Sequence, residues 1–227
     1  MSNKLDMENF MPELLPIEKS LYQQISEVKI TIIKMFVNRG FINPDNKEKY
    51  IKKFVETEND DMEFIIQLDY NKNYNTEIKN KKIYVKFFDY KISSINKSSP
   101  IGEFMSKYNK EYKFLVVQDI STRAEDMVDT YETTIEIFKF NKLQFDITEH
   151  VLVPPHIVLT KEEGDAVLEA YRARKRDMPL IRSNDSVAKY YNMKPGEIVK
   201  ILRTSPLTSS FVAYRLVIKS KDMKAKT

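Results

Sequence analysis

The sequence predicts a two-domain protein, with an α/β N-terminal domain over residues 1–142 and a small α+β C-terminal domain over residues 143–218. Three observations support this. Strand-like runs alternate with helix-like runs in the first part, which is typical of α/β layers. The second part contains two capped helices and a terminal hairpin. The net charge changes from −1 over residues 1–142 to +5 over residues 143–227. For the second domain we expect two layers, a mixed sheet with two helices.

The first domain begins with helices. One apolar stripe with helical spacing predicts the first of them, formed by Leu21, Ile25, Val28, Ile32 and Met35. Gly40 ends this helix, because glycine readily adopts the left-handed conformation of a C-terminal cap. A second, more polar helix is predicted over residues 45–57.

Alternating strands and helices then follow. Strands are predicted over residues 62–69 and 82–88, and apolar residues at 101, 104, 105 and 108 have helical spacing. The continuous apolar run 114–117 is expected of a strand that is buried on both faces. A short helix over residues 123–130 and a strand over residues 134–140 complete the domain.

The second domain has clear helix and turn signals. Thr160 and Glu163 fit a capping box, and the helix that follows is expected to bury Val167, Leu168 and Tyr171.

The rest of this domain is a short helix and a hairpin. The carboxylate of Asp185 suits the N-cap of a helix over residues 186–191, which Asn192 ends. Pro195-Gly196 has turn chemistry, and strands over residues 197–203 and 211–218 follow it. Residues 219–227 carry four lysines and are predicted to form a basic tail.

Composition excludes several kinds of site. The sequence has no cysteine, which excludes disulfides, thiol nucleophiles and cysteine-based metal sites. It has only two histidines, His150 and His156, so a histidine-rich metal site is excluded as well. No apolar run is long enough to span a membrane, and the start of the sequence lacks the pattern of a signal peptide. We therefore expect a soluble intracellular protein with no cofactor and no membrane contact.

The C-terminal residues resemble a known family. The motifs are Ile147-Thr148-Glu149-His150, Leu152-Val153-Pro154-x-His156, Thr160-Lys161-Glu162-Glu163, Asp185-x-Val187-Ala188-x-Tyr190, Gly196-x-Ile198-Val199-Lys200-Ile201-x-Arg203 and Tyr214-Arg215-Leu216-Val217. Over residues 146–217 they resemble a small subunit of archaeal RNA polymerase and the same domain at the end of the fifth subunit of the eukaryotic nuclear RNA polymerases. Thr204, Ser186, Ser209 and Asn184 depart from the family pattern.

Upstream, Arg39-Gly40-Phe41, Phe87-Phe88 and Val116-Val117-Gln118 are similar to the eukaryotic form, which has an N-terminal domain that the archaeal form lacks. The resemblance implies a non-catalytic subunit of a DNA-directed RNA polymerase that takes no small-molecule substrate. Its C-terminal assembly domain would dock on the largest subunit, and its N-terminal jaw domain would lie near downstream duplex DNA. We expect a nuclear protein or, since the A/T-type composition suits a large DNA virus, a protein of a virion or of a viral transcription compartment.

The resemblance also implies site residues. The loop before the predicted helix 123–130 looks like the DNA-facing loop of the family, so Ser121, Thr122 and Arg123 are expected near phosphates. The expected subunit interface consists of Pro154, His156, Lys161, Pro179, Arg182, Asp185, Lys200, Arg203, Tyr214 and Arg215.

Two other functions are alternatives. A nuclease would use an acid-x-Lys site, and six such triplets begin at Glu27, Asp45, Glu77, Asp89, Glu111 and Asp222, a number close to random expectation. A free-standing transcription adaptor would use the same C-terminal domain outside the enzyme.

Several local patterns have two interpretations each. Asp60-Asp61-x-Glu63 is a solvated edge or a cation site, and the two histidines stabilise turns or form an acid–base pair. The pairs Phe87-Phe88 and Tyr190-Tyr191 pack in the protein or stack on bases.

Overall fold

A computed structural model describes seven stretches of the chain, which are residues 19–57, 62–69, 82–96, 98–109, 111–128, 135–205 and 209–219. The N-terminal elements are α1 (Leu21–Asn38), α2 (Lys47–Glu56), β1 (Glu63–Gln67), β2 (Lys82–Ile92), α3 (Pro100–Lys107), β3 (Tyr112–Ile120), α4 (Thr122–Val128) and β4 (Ile135–Lys139). The C-terminal elements are β5 (His156–Val158), α5 (Lys161–Ala170), β6 (Leu180–Arg182), α6 (Ser186–Tyr190), β7 (Ile198–Ser205) and β8 (Ser209–Ile218).

The first sheet has helices on both faces. Its strand order is β1-β2-β3-β4; β1 pairs antiparallel with β2, and the other pairs are parallel. Side chains of β3 alternate between two cores, since Phe114 packs in the core under α1 and α2, whereas Leu115 packs with α3 and α4. The prediction of a strand buried on both faces is therefore confirmed, and this part combines a mixed sheet with several helices.

Helix α1 begins and ends at the local signals of the sequence. Ser20 and Gln23 form a reciprocal capping box at its start. At its end the N–H of Gly40 donates to the carbonyl of Val37, and the N–H of Phe41 donates to the carbonyl of Phe36. These two bonds form a Schellman motif, with Gly40 at φ 72° as predicted. The first residue of the predicted stripe lies outside the core, because Leu21 is 67% exposed.

The second sheet also has a helix on each face. Its order is β5-β7-β8-β6, with only β6 and β8 parallel. Val199, Ile201 and Val217 pack with α6 on one face, whereas Ile198 and Leu216 pack with α5 on the other. The mixed sheet with two helices is confirmed. The predicted two-layer arrangement is wrong, because successive residues of β7 and β8 point to opposite faces and both faces carry apolar side chains.

The helix and turn signals of this part are confirmed, with one exception. Thr160 and Glu163 form the expected capping box, and the oxygen of Asp185 caps α6. Gly196 lies at φ 95°, and the N–H of Glu197 donates to the carbonyl of Lys194, as in a type II turn. The predicted burial of Tyr171 is wrong: it is 67% exposed, because it is the C-cap of α5 and lies past the last turn that faces the sheet.

A buried cation joins the two sheets. Arg39 donates to both carboxylate oxygens of Glu136 on β4, at 2.8 Å each. The same guanidinium donates to the carbonyls of Tyr190 and Lys189 at the end of α6, at 2.7 and 2.9 Å. Its side chain is 2% exposed and that of Glu136 10%, so the contact is desolvated.

Polar side chains extend this contact. The hydroxyl of Tyr190 accepts from the amide of Asn38 at 2.8 Å and donates to Asp146 at 3.0 Å. Burial is the main cause that raises the pKa of Tyr190 well above its usual value. The amide of Asn192 also donates to the hydroxyl of Tyr112 on β3, at 2.9 Å. Since Tyr190 packs in the α1–α2 core as well, the two sheets are held by both apolar and polar contacts.

None of the helices in the described stretches has both the length and the apolarity needed to cross a bilayer.

Candidate functional site

The loop between β3 and α4 lies at the carboxyl end of the parallel strands. Ser121 accepts from the N–H of Ala124 at 3.2 Å and donates to the carbonyl of Ser93 at 2.8 Å. Its hydroxyl is therefore hydrogen-bonded both to the start of α4 and to the loop that follows β2. Thr122 and Arg123 are exposed. Of the three predicted residues, Arg123 is the one that presents a charge to solvent.

Two lysines that the sequence analysis did not single out lie on the same sheet. Lys91 on β2 and Lys139 on β4 contact the carboxylate of Asp119 on β3, at 3.1 and 2.7 Å. Hydrogen bonds from Lys139 and Lys91 lower the pKa of Asp119 to about 2, so the carboxylate is charged at neutral pH. The cluster carries one net positive charge, and its members meet because β2, β3 and β4 are parallel neighbours. Their separation along the chain hides this from sequence analysis.

His156 and four other expected interface residues lie close together. This histidine starts β5, and its Nδ1 lies 2.6 Å from the carbonyl of Pro154, which can only accept. Burial lowers the pKa of His156, and the positive charges of Arg215 and Arg203 lower it further, while the Pro154 carbonyl and Asp185 oppose them. These five residues therefore share the α6 side of the sheet.

Asp185 also has a structural role in this group. Its carboxylate accepts from the N–H groups of Val187 and Ala188, at 2.9 and 3.4 Å. It therefore caps α6 while it lies within electrostatic reach of the imidazole.

The other expected interface residues lie on the α5 side or at the far edge of the sheet. Lys200 on β7 is directly opposite Tyr214 on β8, and Lys161 is the first residue of α5. Arg182 ends the edge strand β6, and the carbonyl of Pro179 accepts from the N–H of Leu216 at 2.8 Å. The ten residues thus do not form one continuous surface.

Exposed apolar residues mark the β5 edge. Ile157 of β5 is exposed on the α5 side, as is Val212 of β8, because α5 leaves this end of the sheet open. Just before β5, Val151 and Leu152 are 97% and 83% exposed. Large apolar side chains that are exposed together are typical of a protein-binding surface. The sequence analysis missed this surface because a strand pattern does not show which part of a face a helix covers.

The histidine and aromatic patterns agree with their structural interpretations. Nδ1 of His150 accepts from the N–H of Leu152 at 3.2 Å, which is a turn contact. Phe87 and Phe88 are buried in the two cores of the first sheet. Tyr190 is buried, and its ring contacts that of Tyr191.

The acidic patterns fall partly outside the described residues. Asp60, Asp61, Glu77 and Asp222 lie there. Glu63 is described; it binds Lys107 at 2.9 Å and accepts a hydrogen bond from the hydroxyl of Tyr108. Within the described stretches, no three acidic, histidine or cysteine side chains converge in the way that a metal site requires.

Comparisons with known proteins show which sequences this chain is similar to. The family described as RNA polymerase Rpb5, C-terminal domain, matches residues 145–217. The DNA-directed RNA polymerases I, II, and III subunit rpabc1 of Dictyostelium discoideum is 29% identical over 201 residues, which are 86% of this chain and 98% of the relative.

Two further relatives show how the similarity is distributed. The DNA-directed RNA polymerase subunit Rpo5 of Thermofilum pendens is 43% identical over 76 residues, which are 34% of this chain and 95% of the relative. The DNA-directed RNA polymerase V subunit 5A of Arabidopsis thaliana is 30% identical over 139 residues, 60% of this chain and 63% of the relative.

Proposed function

Because this chain belongs to the Rpb5 family of DNA-directed RNA polymerase subunits, we propose that its C-terminal domain docks on the largest subunit of that enzyme. The observation that carries the proposal is the family match over residues 145–217, which spans the second sheet except for the last residue of β8. The chain is thus a transcription protein, and other polymerase subunits are its partners. We propose that the boundary between its jaw and assembly domains lies at residues 142–143.

The docking surface that we propose is centred on β5. This strand is at an edge of the sheet, so a partner that binds along it reaches both faces. On one face it meets the exposed apolar side chain of Ile157, and on the other it meets His156 with Arg203 and Arg215. An apolar centre with arginines around it is the composition of a specific protein interface. Arg182 and Pro179 lie at the opposite edge and are outside this surface.

The test is incorporation of tagged variants into the polymerase of the native source. Ile157→Asp removes the apolar centre, and Arg215→Glu reverses a charge at the rim; both are expected to lower recovery of the largest subunit at least about tenfold. Lys52→Glu on α2 is the matched control, because Lys52 is exposed on the other domain. Wild-type recovery with both test variants contradicts the proposed surface.

We also propose that the N-terminal domain lies near downstream duplex DNA. Arg123 is exposed, and Lys91 and Lys139 lie at the same end of the parallel strands. Such side chains contact phosphates without reading sequence. In the assembled polymerase, Arg123→Ala is expected to leave assembly unchanged and to reduce the slope of log DNA affinity against log salt by about one. Lys52→Ala is the control, and an unchanged slope for Arg123→Ala contradicts the DNA contact.

We propose that the chain has no catalytic activity of its own, and that nucleotide addition takes place in other subunits. Polymerisation needs metal ions held by clustered carboxylates. The isolated chain, incubated with Mg²⁺, plasmid and nucleoside triphosphates, is expected to leave all of them unchanged. Plasmid cleavage would support the nuclease alternative, and a chain that never co-purifies with large polymerase subunits would support the adaptor alternative.

We propose that the chain acts inside the cell, at the site of transcription. This follows from its membership of a polymerase family. A source in a large DNA virus stays a prediction. The basic tail also stays a prediction, and residues 220–227 of it lie outside the described residues.

A further inference from the structure

A cavity lies where the two sheets meet. Its volume is about 190 Å³, and it is bounded by β4, by the start of α6 and by the segment that connects the sheets. Apolar side chains line much of it, among them Ile137, Leu143 and Ile147. Phe145 also lines it and is 56% exposed, so a large aromatic ring stands at its mouth.

The cavity follows the free edge of β4. Ile137, Phe138 and Lys139 are consecutive and point to alternate faces of the sheet, yet all three line the cavity. The cavity therefore opens beside β4, the last strand of the sheet, near its carboxyl end, where Ile120 of β3 also lines it. Strand β4 is last in the sheet order, and no hydrogen bond described outside the sheet uses the backbone of residues 135–138. An incoming chain therefore meets backbone groups as well as apolar side chains.

The rim of the cavity is positively charged. Three lysines line it, Lys139, Lys142 and Lys189, against a single acid, Glu125. Lys189 contacts Glu125 at 2.7 Å, and Lys139 contacts Asp119 at 2.7 Å. In the described part of the chain, Lys142 makes no ion pair. An apolar cavity with a cationic rim suits an anionic ligand that carries an apolar group.

We propose that this cavity is a docking site for a short acidic peptide segment of another protein, with one bulky apolar side chain as its anchor. Apolar cavities of about 150 Å³ hold a benzene molecule, so about 190 Å³ accommodates a phenylalanine or leucine side chain. Acidic residues on either side of the anchor then reach Lys142 and Lys189. A peptide fits better than a small apolar molecule, since the latter would leave the lysine rim and the β4 edge unused.

The test is direct binding to the purified full chain, without polymerase, so its outcome is independent of the assembly proposal. The probe is a fluorescein-labelled peptide with one phenylalanine between two Asp-Glu pairs, followed by fluorescence anisotropy. A second peptide has alanine in place of phenylalanine. Burial of the ring is expected to make the first peptide bind about 10- to 100-fold more tightly.

Two protein variants locate the site. Ser186→Trp fills the cavity from the start of α6, where Ser186 is exposed, and is expected to abolish binding. Lys142→Glu is expected to weaken binding about fivefold to tenfold. Lys52→Glu carries the same charge change away from the cavity and is expected to bind as the wild type does. Circular dichroism shows whether each variant is folded.

Several results would overturn the proposal. Equal affinity of the two peptides would show that the apolar side chain is not an anchor. Equal weakening of peptide binding by Lys142→Glu and Lys52→Glu would show non-specific charge attraction. Wild-type affinity of a folded Ser186→Trp variant places the peptide elsewhere. Phenylalanine amide alone binding as tightly as the peptide makes this a small-molecule cavity. A dimer in sedimentation that Ser186→Trp dissociates makes a second copy of the chain the occupant.

Discussion

Replacing Arg39 with methionine tests the contact that joins the two sheets. Methionine keeps much of the side-chain volume and the apolar stem but removes the charge and every donor. The variant leaves the carboxylate of Glu136 buried without the two bonds of 2.8 Å that it accepts in the wild type. It also removes the donors to the carbonyls of Tyr190 and Lys189, at 2.7 and 2.9 Å.

The expected cost follows from these contacts. Removing one partner of a buried ion pair typically costs about 3–5 kcal/mol, because the other charge stays desolvated. A lost donor to a buried carbonyl adds about 1 kcal/mol. The charge of Lys194 acts on Glu136 and offsets part of this. We therefore expect Arg39→Met to lower the free energy of unfolding by about 3–4 kcal/mol.

A double-mutant cycle separates the ion pair from the loss of packing. The partner variant is Glu136→Gln, which leaves Arg39 bonded to the two carbonyls of α6. The double variant Arg39→Met with Glu136→Gln buries no unpaired charge, so the two single costs are expected to exceed the double cost by at least about 1.5 kcal/mol.

Urea unfolding provides the measurement. It is followed by circular dichroism and by tyrosine fluorescence, since the chain has 13 tyrosines and no tryptophan. A cost below about 1 kcal/mol for Arg39→Met, or single costs that simply add, would refute the claim that this pair is desolvated.

Four further predictions concern single sites. Burial holds the pKa of His156 in the folded chain below its ordinary 6.5, so as the pH falls below 6.5 the unfolded chain binds more protons than the folded chain. The free energy of unfolding is therefore expected to decrease as the pH falls below 6.5. Thermal melts at several pH values should show a smaller decrease for His156→Gln. Gly40→Ala is expected to lower stability by about 1 kcal/mol because Gly40 is at φ 72°. Gly164→Ala should raise stability by about 0.5 kcal/mol in the same melts, because a methyl group in α5 would lie 3.4 Å from the nearest atom of Ile198; a loss at Gly164 would contradict this. Asp185→Ala is expected to cost about 1 kcal/mol as a lost helix cap, and Asp185→Asn to cost less; equal costs would point to its charge near the imidazole instead.

Local chemistry made much of the fold predictable. The capping boxes at Ser20 and Thr160, the glycine cap at Gly40 and the turn at Gly196 each depend on residues within one or two turns of the chain. Such signals set the ends of elements whatever surrounds them. Tyr171 was mispredicted because helical spacing shows which residues share a face but not where the partner surface stops.

The family and the kind of partner could also be predicted from the sequence. The motifs over residues 146–217 identify the second domain by themselves, and the family match over residues 145–217 confirms that resemblance. The motifs predict the interface residues within them only as one set. Strand alternation then divides that set, because neighbours in β7 and β8 point to opposite faces of a sheet that has a helix on each side.

The amino-acid order alone determined most of the longer elements, the capped helix ends and the family of this protein. These depend on neighbouring residues and on motifs that follow one another in the order of the family. Only the tertiary structure decided which distant charges meet. Lys91, Asp119 and Lys139 come together through parallel strand pairing, and Arg39 reaches Glu136 and α6 across the junction of the two sheets. The cavity beside β4 arises at that same junction. Contacts between residues tens of positions apart depend on how whole sheets and helices pack, and short-range patterns carry no record of that packing.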